Sequence, residues 1–276
     1  MILSRSPAFR RLYERMEEDT SLRVTISILT FNRCEILREL LASLNNLTYS
    51  PLEVIVIDNH STDGTEEMMK HDFPQFYHLR MQENKGVEAR NYGLRVATGN
   101  IVITLDDDVL GITDTHITSL TRIFNEHQEV GAVCFKVLDY WSGTICNWCH
   151  HYIKEDYSKK TFITDEISEG AVAFRRKVFE KSGYYPSTFF ISYEGTDLSC
   201  RMLDVGYKTI FCPEIVVRHK HAQQGRPGWR RYYYDTRNQI WFVVRNYPIT
   251  WGIRYLARGL GAMLLYSVRD GFFRYW

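Results

Sequence analysis

Three consecutive aspartates, Asp106, Asp107 and Asp108, are the residues whose type and spacing point most directly to chemistry. Carboxylates held this close oppose one another's ionisation, so we expect a cation to neutralise them. Oxygen ligands of this kind favour Mg²⁺ or Mn²⁺, which keep positions open for the oxygens of a bound diphosphate. Because an apolar strand pattern at residues 101–105 leads directly into the triplet, a metal site is favoured over a solvated acidic loop.

A different reaction is open to the same residues. Asp106 and Asp108 also supply the two aspartates of the phosphatase pattern D-x-D-x-[TV], in which Asp106 would be the nucleophile and Asp108 the acid and base. Such enzymes generally carry this element on their first strand, whereas three strand–helix units precede it here. A phosphoaspartate phosphatase is therefore the less favoured enzymatic alternative.

Two later clusters contain side chains that ligate metals. His219 and His221 follow an apolar run, and their alternate spacing puts both imidazoles on one face of an extended segment. Residues 146–151 read CNWCHH, which satisfies the haem-attachment spacing and also offers thiols and imidazoles to zinc. Haem attachment needs export, and adjacent histidines rarely point the same way, so an ordinary loop is the favoured interpretation.

Alternating strand and helix patterns must position these residues. Apolar runs at residues 24–29, 54–57 and 101–105, and a further predicted strand at 77–81, each end in polar residues. The first three of these strands along the chain lead into helical spacing. The alternation predicts an α/β fold with a parallel sheet, flanking helices and a ligand site beyond the carboxyl ends of the strands. Those ends carry Asn32, Asp58, Asn84 and the triplet. Beyond residue 130 the pattern loosens, which predicts a mixed sheet.

Composition narrows the class of protein. The chain has 276 residues, of which 45% are hydrophobic and 24% charged. These values suit one large α/β domain with an appendage and exclude a disordered or collagen-like chain. The net charge of +1 does not indicate nucleic-acid binding. Six scattered cysteines, and no apolar amino-terminal stretch typical of a signal peptide, predict a reducing, cytoplasmic location.

Five motifs in order resemble the inverting family 2 glycosyltransferases of the GT-A fold. They are LTFNR at 29–33, VIVIDNHSTDGT at 54–65, NKGVEARNYGL at 84–94, TLDDDV at 104–109 and YEGTDLSCR at 193–201. The resemblance covers about residues 23–222. It implies a GT-A, Rossmann-like, mostly parallel sheet flanked by helices, in a catalytic domain at residues 23–225 behind an amino-terminal arm at 1–22.

The same resemblance implies an activity and the residues that serve it. The activity is metal-dependent transfer of a sugar from a nucleoside-diphosphate sugar to a hydroxyl of a glycan or lipid-linked acceptor. The metal would be Mn²⁺ or Mg²⁺, with Asp108 as its direct ligand and His219 completing the site. Seven residues would contact the nucleotide-sugar, namely Thr30, Arg33, Asp58, Asn84, Arg90, Asp106 and Asp107.

The catalytic base is where the sequence departs from the family pattern. Family members carry an element commonly written EDxDL, and here the segment has Glu194, Gly195 and Asp197, so the second acidic position is glycine. Glu194 becomes the first candidate for the base and Asp197 the second. Asp197 can instead pair with Arg201 one helical turn later. The glycine also keeps open a catalytically impaired protein that binds a nucleotide-sugar.

The carboxyl-terminal residues 226–276 form a basic and aromatic extension. They contain nine arginines against two aspartates, with aromatic residues interleaved, so the near-neutral total hides an acidic body. Helices are predicted at about 232–245, packing on the catalytic domain, and at about 249–266, lying in a membrane interface. A homo-oligomer interface is the competing explanation. The expected location is therefore cytoplasmic, with peripheral contact to the inner face of the membrane as one alternative.

Overall fold

A computed structural model describes residues 22–221 and 228–276. The amino-terminal arm predicted at residues 1–22 therefore lies, apart from Leu22, outside the described residues. The strands are β1 Val24–Thr30, β2 Leu52–Asp58, β3 Tyr77–Arg80, β4 Ile101–Asp106, β5 Val109–Leu110, β6 Val130–Asp139, β7 Phe162–Thr164, β8 Ala171–Arg175 and β9 Lys208–His219.

The α-helices and two short 3₁₀ helices connect and follow these strands. The helices are α1 Cys34–Leu44, α2 Thr65–Asp72, α3 Arg90–Val96, α4 Asp114–Glu126, α5 Lys154–Tyr157, α6 Val178–Ser182, α7 Glu194–Asp204, α8 Trp229–Asn246 and α9 Ile249–Arg269, with 3₁₀ turns at Gly86–Ala89 and Phe273–Tyr275.

One sheet of nine strands runs through the described chain in the order β3-β2-β1-β4-β8-β6-β9-β5, and β7 pairs with β9 beside this path. The first four strands are parallel to one another, as the alternation of strand and helix predicts. Strand β8 is antiparallel to both β4 and β6, whereas β6 and β9 are parallel. The second half is therefore mixed, in agreement with the looser sequence pattern.

Apolar side chains on both faces of the sheet form the core. Because successive residues of a strand point to opposite faces, Val54 and Val56 pack with α1, α2 and α4, while Ile55 and Ile57 pack with α3, α6 and α7. Burial on both faces explains the continuous apolar runs of β1, β2 and β4. The polar residues that end those runs are left at one rim of the sheet.

Helix α8 is bound to the catalytic part by polar contacts as well as by packing. The amide Nδ2 of Asn238 donates hydrogen bonds to the backbone carbonyls of Phe189 at 2.9 Å, Ile191 at 2.7 Å and Ser192 at 2.8 Å. The segment before α7, which contains these three carbonyls, is therefore held from the carboxyl-terminal side. Helix α9 packs along α8 and leaves much of its own surface exposed.

Candidate active site

A cleft of about 720 Å³ lies at the carboxyl ends of the parallel strands. Segments from both halves of the sheet form it, together with the beginnings of α7 and α8. Its lining includes Thr30, Arg33, Asn59, Asn84, Arg90, Asp106, Asp107, Asn147, Glu169, Phe190, Ser192, Glu194, His219, His221 and Arg230. Six of the seven residues predicted to contact the nucleotide-sugar are therefore brought to one cavity.

Asp107 is held from two sides at the bottom of this cleft. Its Oδ2 accepts a hydrogen bond from the hydroxyl of Thr30 at 2.7 Å, and its Oδ1 accepts one from Nη1 of Arg33 at 2.8 Å. Burial raises the pKa of Asp107 to about 6, with the charge of Asp108 adding to the effect and Arg33 opposing it. Both oxygens are thus engaged by the protein, and Asp107 positions Thr30 and Arg33, while its expected contact with the donor stays a prediction.

Asp106, Asp108 and His219 form a cluster of potential metal ligands. One ligand atom from each lies within 4.8 Å of the others. Nε2 of His219 is 2.9 Å from Oδ1 of Asp108, and Nδ1 of the same ring is 2.9 Å from Nδ2 of Asn147. Because the amide nitrogen of Asn147 can only donate, Nδ1 of His219 is the acceptor, and this contact fixes the ring with Nε2 towards Asp108. Two carboxylates and one imidazole suit Mn²⁺ or Mg²⁺, so these residues fit the implied metal.

Arg90 supplies buried positive charge beside this cluster. Its guanidinium donates to the carbonyl of Leu105 at 3.2 Å and forms an ion pair with Asp106. Gly170 makes the arrangement possible, because a Cβ there would lie 2.4 Å from the Asp106 carboxylate, and its φ of +77° favours glycine. The negative Asp106 and the positive Arg90 thus meet on the wall of the cleft.

Asp58 and Asn84 organise the loops at the rim. Asp58 is fully buried, accepts a hydrogen bond from the backbone N–H of Ser61 at 2.7 Å and is not among the residues lining the cleft. Burial acts to raise its pKa, but hydrogen bonds from His78 and Ser61 outweigh it and hold the pKa below the usual value. Oδ1 of Asn84 accepts from Nδ2 of Asn59 at 3.0 Å. The expected contact of Asp58 with the nucleoside stays a prediction, since its carboxylate faces the protein here.

The two candidates for the base lie in different surroundings. Glu194 begins α7, lines the cleft and has an Oε2 that accepts no hydrogen bond within the described residues. Asp197 is fully buried and lines neither of the cavities described here; its Oδ2 accepts from Arg201 at 2.9 Å and its Oδ1 from Arg245 at 2.8 Å. Asp197 thus joins α7 to α8, and its helical pairing with Arg201 is present, while its role as the second candidate for the base stays a prediction.

A second cavity of about 900 Å³ adjoins the cleft. It is bounded by the segment at residues 147–149, the loop before β8 and the first turn of α7. Four residues line both cavities, namely Asn147, Glu169, Ser192 and Glu194. Glu194 therefore lies where the two spaces meet.

The CNWCHH segment is built as a structural loop. The ring of His150 packs edge-on against Trp148 and Phe162, and its Nδ1 is 2.9 Å from the hydroxyl of Thr164. Burial lowers the pKa of His150 to about 4. Two clusters of potential metal ligands occur in the described chain: one contains Cys146 with His219 and His221, and neither contains Cys149, His150 or His151. The CxxCH residues are therefore not brought together as one ligand set, and the loop interpretation stays the favoured prediction.

Several lining residues were not predicted from the sequence. Asn59 and Asn147 lie inside segments that the sequence singles out, and Arg230 belongs to the basic extension. Glu169 carries no motif signal at all. Only the tertiary fold brings it to α7, because the two segments are separated by more than twenty residues.

The fold and this cleft are those of a nucleotide-sugar transferase, and comparison with known proteins identifies the family. Residues 25–183, more than half of the chain, match the model "Glycosyl transferase family 2". The chain belongs to this family. Within the described residues, no helix combines the length and hydropathy needed to cross a membrane.

Curated relatives and solved structures agree with this assignment. The chain is 26% identical over 199 residues to the O-antigen chain rhamnosyltransferase WbaN of Salmonella anatum, a match that covers 67% of this chain and 62% of the relative. It is 24% identical over 227 residues to the O-antigen chain rhamnosyltransferase RfbN of Salmonella typhimurium, covering 77% and 71%. The chain thus spans about three fifths of the first relative's length.

Two solved structures show the GT-A fold. The mannosyltransferase PcManGT of Pyrobaculum calidifontis, in complex with GDP-Man and Mn²⁺, superposes with a TM-score of 0.62 at 21% identity and covers 91% of this chain and 81% of its own. Residues 1–349 of TarS from S. aureus, in complex with UDP-GlcNAc, give a TM-score of 0.65 at 16% identity, covering 91% and 75%.

Proposed function

We propose that this glycosyltransferase is metal-dependent and inverting, and that it moves a sugar from a nucleoside-diphosphate sugar to a hydroxyl of a glycan or lipid-linked acceptor. The observation that carries the proposal is the cluster of Asp106, Asp108 and His219, of which Asp106 and His219 line a cleft. The same cleft contains Arg90 and an oxygen of Glu194 that accepts no hydrogen bond within the described residues. Groups that bind an anion and a group that accepts a proton are thus available in one cavity.

The donor's diphosphate would occupy the end of the cleft near the aspartates. Mn²⁺ or Mg²⁺ held by Asp106, Asp108 and His219 would supply the Lewis-acid charge that a departing diphosphate requires. The chain's own contribution is Arg33 and Arg90, whose guanidiniums line the same cleft. Arginine suits this task because its planar fork matches phosphate oxygens.

The acceptor would enter through the second cavity. Inversion requires its hydroxyl to attack the anomeric carbon from the face opposite the diphosphate, with a base taking the hydroxyl proton. We assign the base to Glu194, which lines both cavities. Burial raises the pKa of this carboxyl, which brings its proton affinity closer to that needed at neutral pH. Trp148 in the same cavity offers a ring surface to a sugar.

Two relatives named as O-antigen chain rhamnosyltransferases support an acceptor in polysaccharide biosynthesis. A nucleotide-activated rhamnose therefore belongs first in any panel of donors. The nucleobase is left open, because the Asp58 carboxylate faces Ser61 and the basic side chains of β3.

Peripheral membrane contact is proposed for α9. Ile249, Trp251, Ile253 and Leu265 on this helix are each more than 60% exposed. Arg254 and Arg258 are exposed beside them. Apolar and aromatic side chains flanked by arginines suit an interface with anionic lipid, which is where a lipid-linked acceptor would be found.

A thermal-shift screen of nucleoside diphosphates and nucleotide-sugars, with and without Mn²⁺, tests the donor assignment. Because a bound ligand stabilises the folded state, at least one nucleotide should raise Tm, and more so with Mn²⁺. No shift with any nucleotide would refute the assignment. Phosphate release from a generic phosphoester would favour the phosphatase, whereas tight donor binding without turnover would favour the impaired binding protein.

A further inference from the structure

A carboxylate outside the family motifs lies at the junction of the two cavities. Glu169 lines both of them, as Glu194 does. Its Oε2 accepts a hydrogen bond from the hydroxyl of Tyr185 at 3.0 Å. Its Oε1 is shielded from solvent and accepts no hydrogen bond within the described residues. One oxygen is thus fixed by Tyr185, and the other is left without a hydrogen-bond partner within the described residues.

Gly195 shows how closely this carboxylate approaches α7. A Cβ added at Gly195 would lie 2.6 Å from Oε1 of Glu169 and 3.1 Å from its Cγ. Any side chain at position 195 would therefore displace the Glu169 carboxylate or be displaced by it. The carboxylate occupies the space beside Glu194 that the glycine leaves open.

We propose that Glu169 is a second catalytic carboxylate, and that Glu169 and Glu194 act as a pair that shares one proton and receives the proton of the acceptor hydroxyl. This inference rests on the proposed transferase function. In the step, the acceptor O–H bond breaks and its proton goes to the ionised member of the pair. The acceptor oxygen bonds to the anomeric carbon, and the carbon–oxygen bond to the diphosphate breaks, so that the nucleoside diphosphate leaves with the electron pair.

The electrostatics of the site agree with a pair that holds one proton. Burial raises the pKa of Glu169, and the negative charge of Glu194 raises it further, while Arg90 opposes both effects. Burial also raises the pKa of Glu194. Two neighbouring carboxyls do not both ionise readily, so one keeps a proton while the other remains a base.

Glu169→Gln tests the pair directly. Glutamine keeps the size of the side chain and its contact with Tyr185 but cannot accept a proton. We expect the rate of transfer to fall about a hundredfold, in the range of general-base effects, with Kd for the nucleoside diphosphate in Mn²⁺ unchanged within about threefold. Asp165→Asn is the matched control, because Asp165 is an exposed carboxylate on the same loop and should leave both values near wild type.

A swap of the carboxylate separates catalysis from folding. Glu169→Ala should lose transfer, and adding Gly195→Asp to that variant should recover at least about tenfold, because the new carboxylate enters the vacated space. A rate for Glu169→Gln within threefold of wild type, loss of donor binding in that variant, or failure of the swap to recover transfer would each overturn the pair. If the wild type turns over no donor, the proposed function itself fails and the pair fails with it.

Discussion

Asp106, Asp107 and Asp108 are adjacent in the chain but contact different neighbours. Asp106 forms an ion pair with Arg90. Asp107 accepts hydrogen bonds from Thr30 and Arg33. Asp108 lies beside the imidazole of His219. The sequence alone predicted that the triplet ends a strand, because the apolar run before it is continuous. The family resemblance assigned Asp108 to the metal and Asp106 and Asp107 to the donor. It did not reveal the different protein contacts of the three, since these depend on side chains from the end of β1, the turn after it, β9 and the beginning of α3.

Removing one ligand of the proposed metal site should abolish turnover. Asp108→Asn keeps the shape of the side chain but weakens a carboxylate ligand, so we expect about a hundredfold loss of nucleoside diphosphate release and weaker Mn²⁺ binding. Release assays and calorimetric Mn²⁺ titration measure the two effects. Glu67→Gln, on the exposed side of α2, is the control for the lost charge. Wild-type turnover in Asp108→Asn would exclude Asp108 as a metal ligand.

Glu169 and Glu194 illustrate the limit of motif-based prediction. Glu194 could be predicted because it lies in a segment that resembles a family motif. Glu169 belongs to no such motif, and it comes close to α7 only because the loop before β8 folds against that helix. The sequence signal that pointed to this place was Gly195, which stands where the family has an acidic residue. It indicated that something differs at this position, but not which distant side chain approaches it.

At the scale of elements, strand prediction succeeded where burial on both faces makes the sequence continuously apolar. Strands β1, β2 and β4 were predicted to within two residues of their observed ends for this reason. Strand β7 was not, because it is three residues long and its central Ile163 is exposed. Such short edge elements depend on their pairing with β9 more than on their own pattern.

The contact between α7 and α8 makes Asp197 a stability determinant. Asp197→Ala leaves Arg201 and Arg245 without their carboxylate, so we expect the free energy of unfolding to fall by about 2–3 kcal/mol, near the lower limit for a broken buried pair. Urea denaturation measures the loss. Asp204→Ala, an exposed residue of the same helix, should change stability little. A stable Asp197→Ala protein with intact donor binding but no transfer would restore Asp197 as a base.

The aromatic cluster of β7, β9 and the CNWCHH segment should make stability depend on pH. Burial lowers the pKa of His150 from 6.5 to about 4. Between these values the unfolded chain binds a proton that the folded chain does not, so stability falls as the pH drops from about 6.5 to 4. His150→Gln should flatten this part of the denaturation profile, whereas the exposed His151→Gln should not. An unchanged slope in His150→Gln would place the acid sensitivity elsewhere.

At the scale of the whole molecule, the carboxyl-terminal extension takes part in the site. The change in charge and aromatic content predicted a domain boundary near residue 225. In the structure, Arg230 at the start of α8 lines the donor cleft and lies over the ring of Phe190, 5.5 Å from its centroid. Composition indicates that a segment differs from its surroundings, but it does not reveal the cavity that the segment helps to close.

Vesicle sedimentation tests the membrane proposal for α9. We expect binding to vesicles that contain anionic phosphatidylglycerol, weakening with salt and in the variants Trp251→Ser/Ile253→Ser and Arg254→Gln/Arg258→Gln. Ile163→Ser removes an exposed apolar side chain from β7 and is the matched control. Absence of binding, together with a dimer that the Trp251 variant dissociates, would establish the homo-oligomer explanation instead.

The stereochemistry of the transferred sugar tests the central claim most directly. Purified protein is incubated with Mn²⁺, the nucleotide-sugar that binds best and a glycan acceptor, and the anomeric configuration of the first product is read by proton NMR. A base at the junction of the two cavities, opposite the diphosphate, predicts a product whose configuration is inverted relative to the donor, formed only with the divalent ion. A product with retained configuration, or equal transfer in excess chelator, would contradict the account.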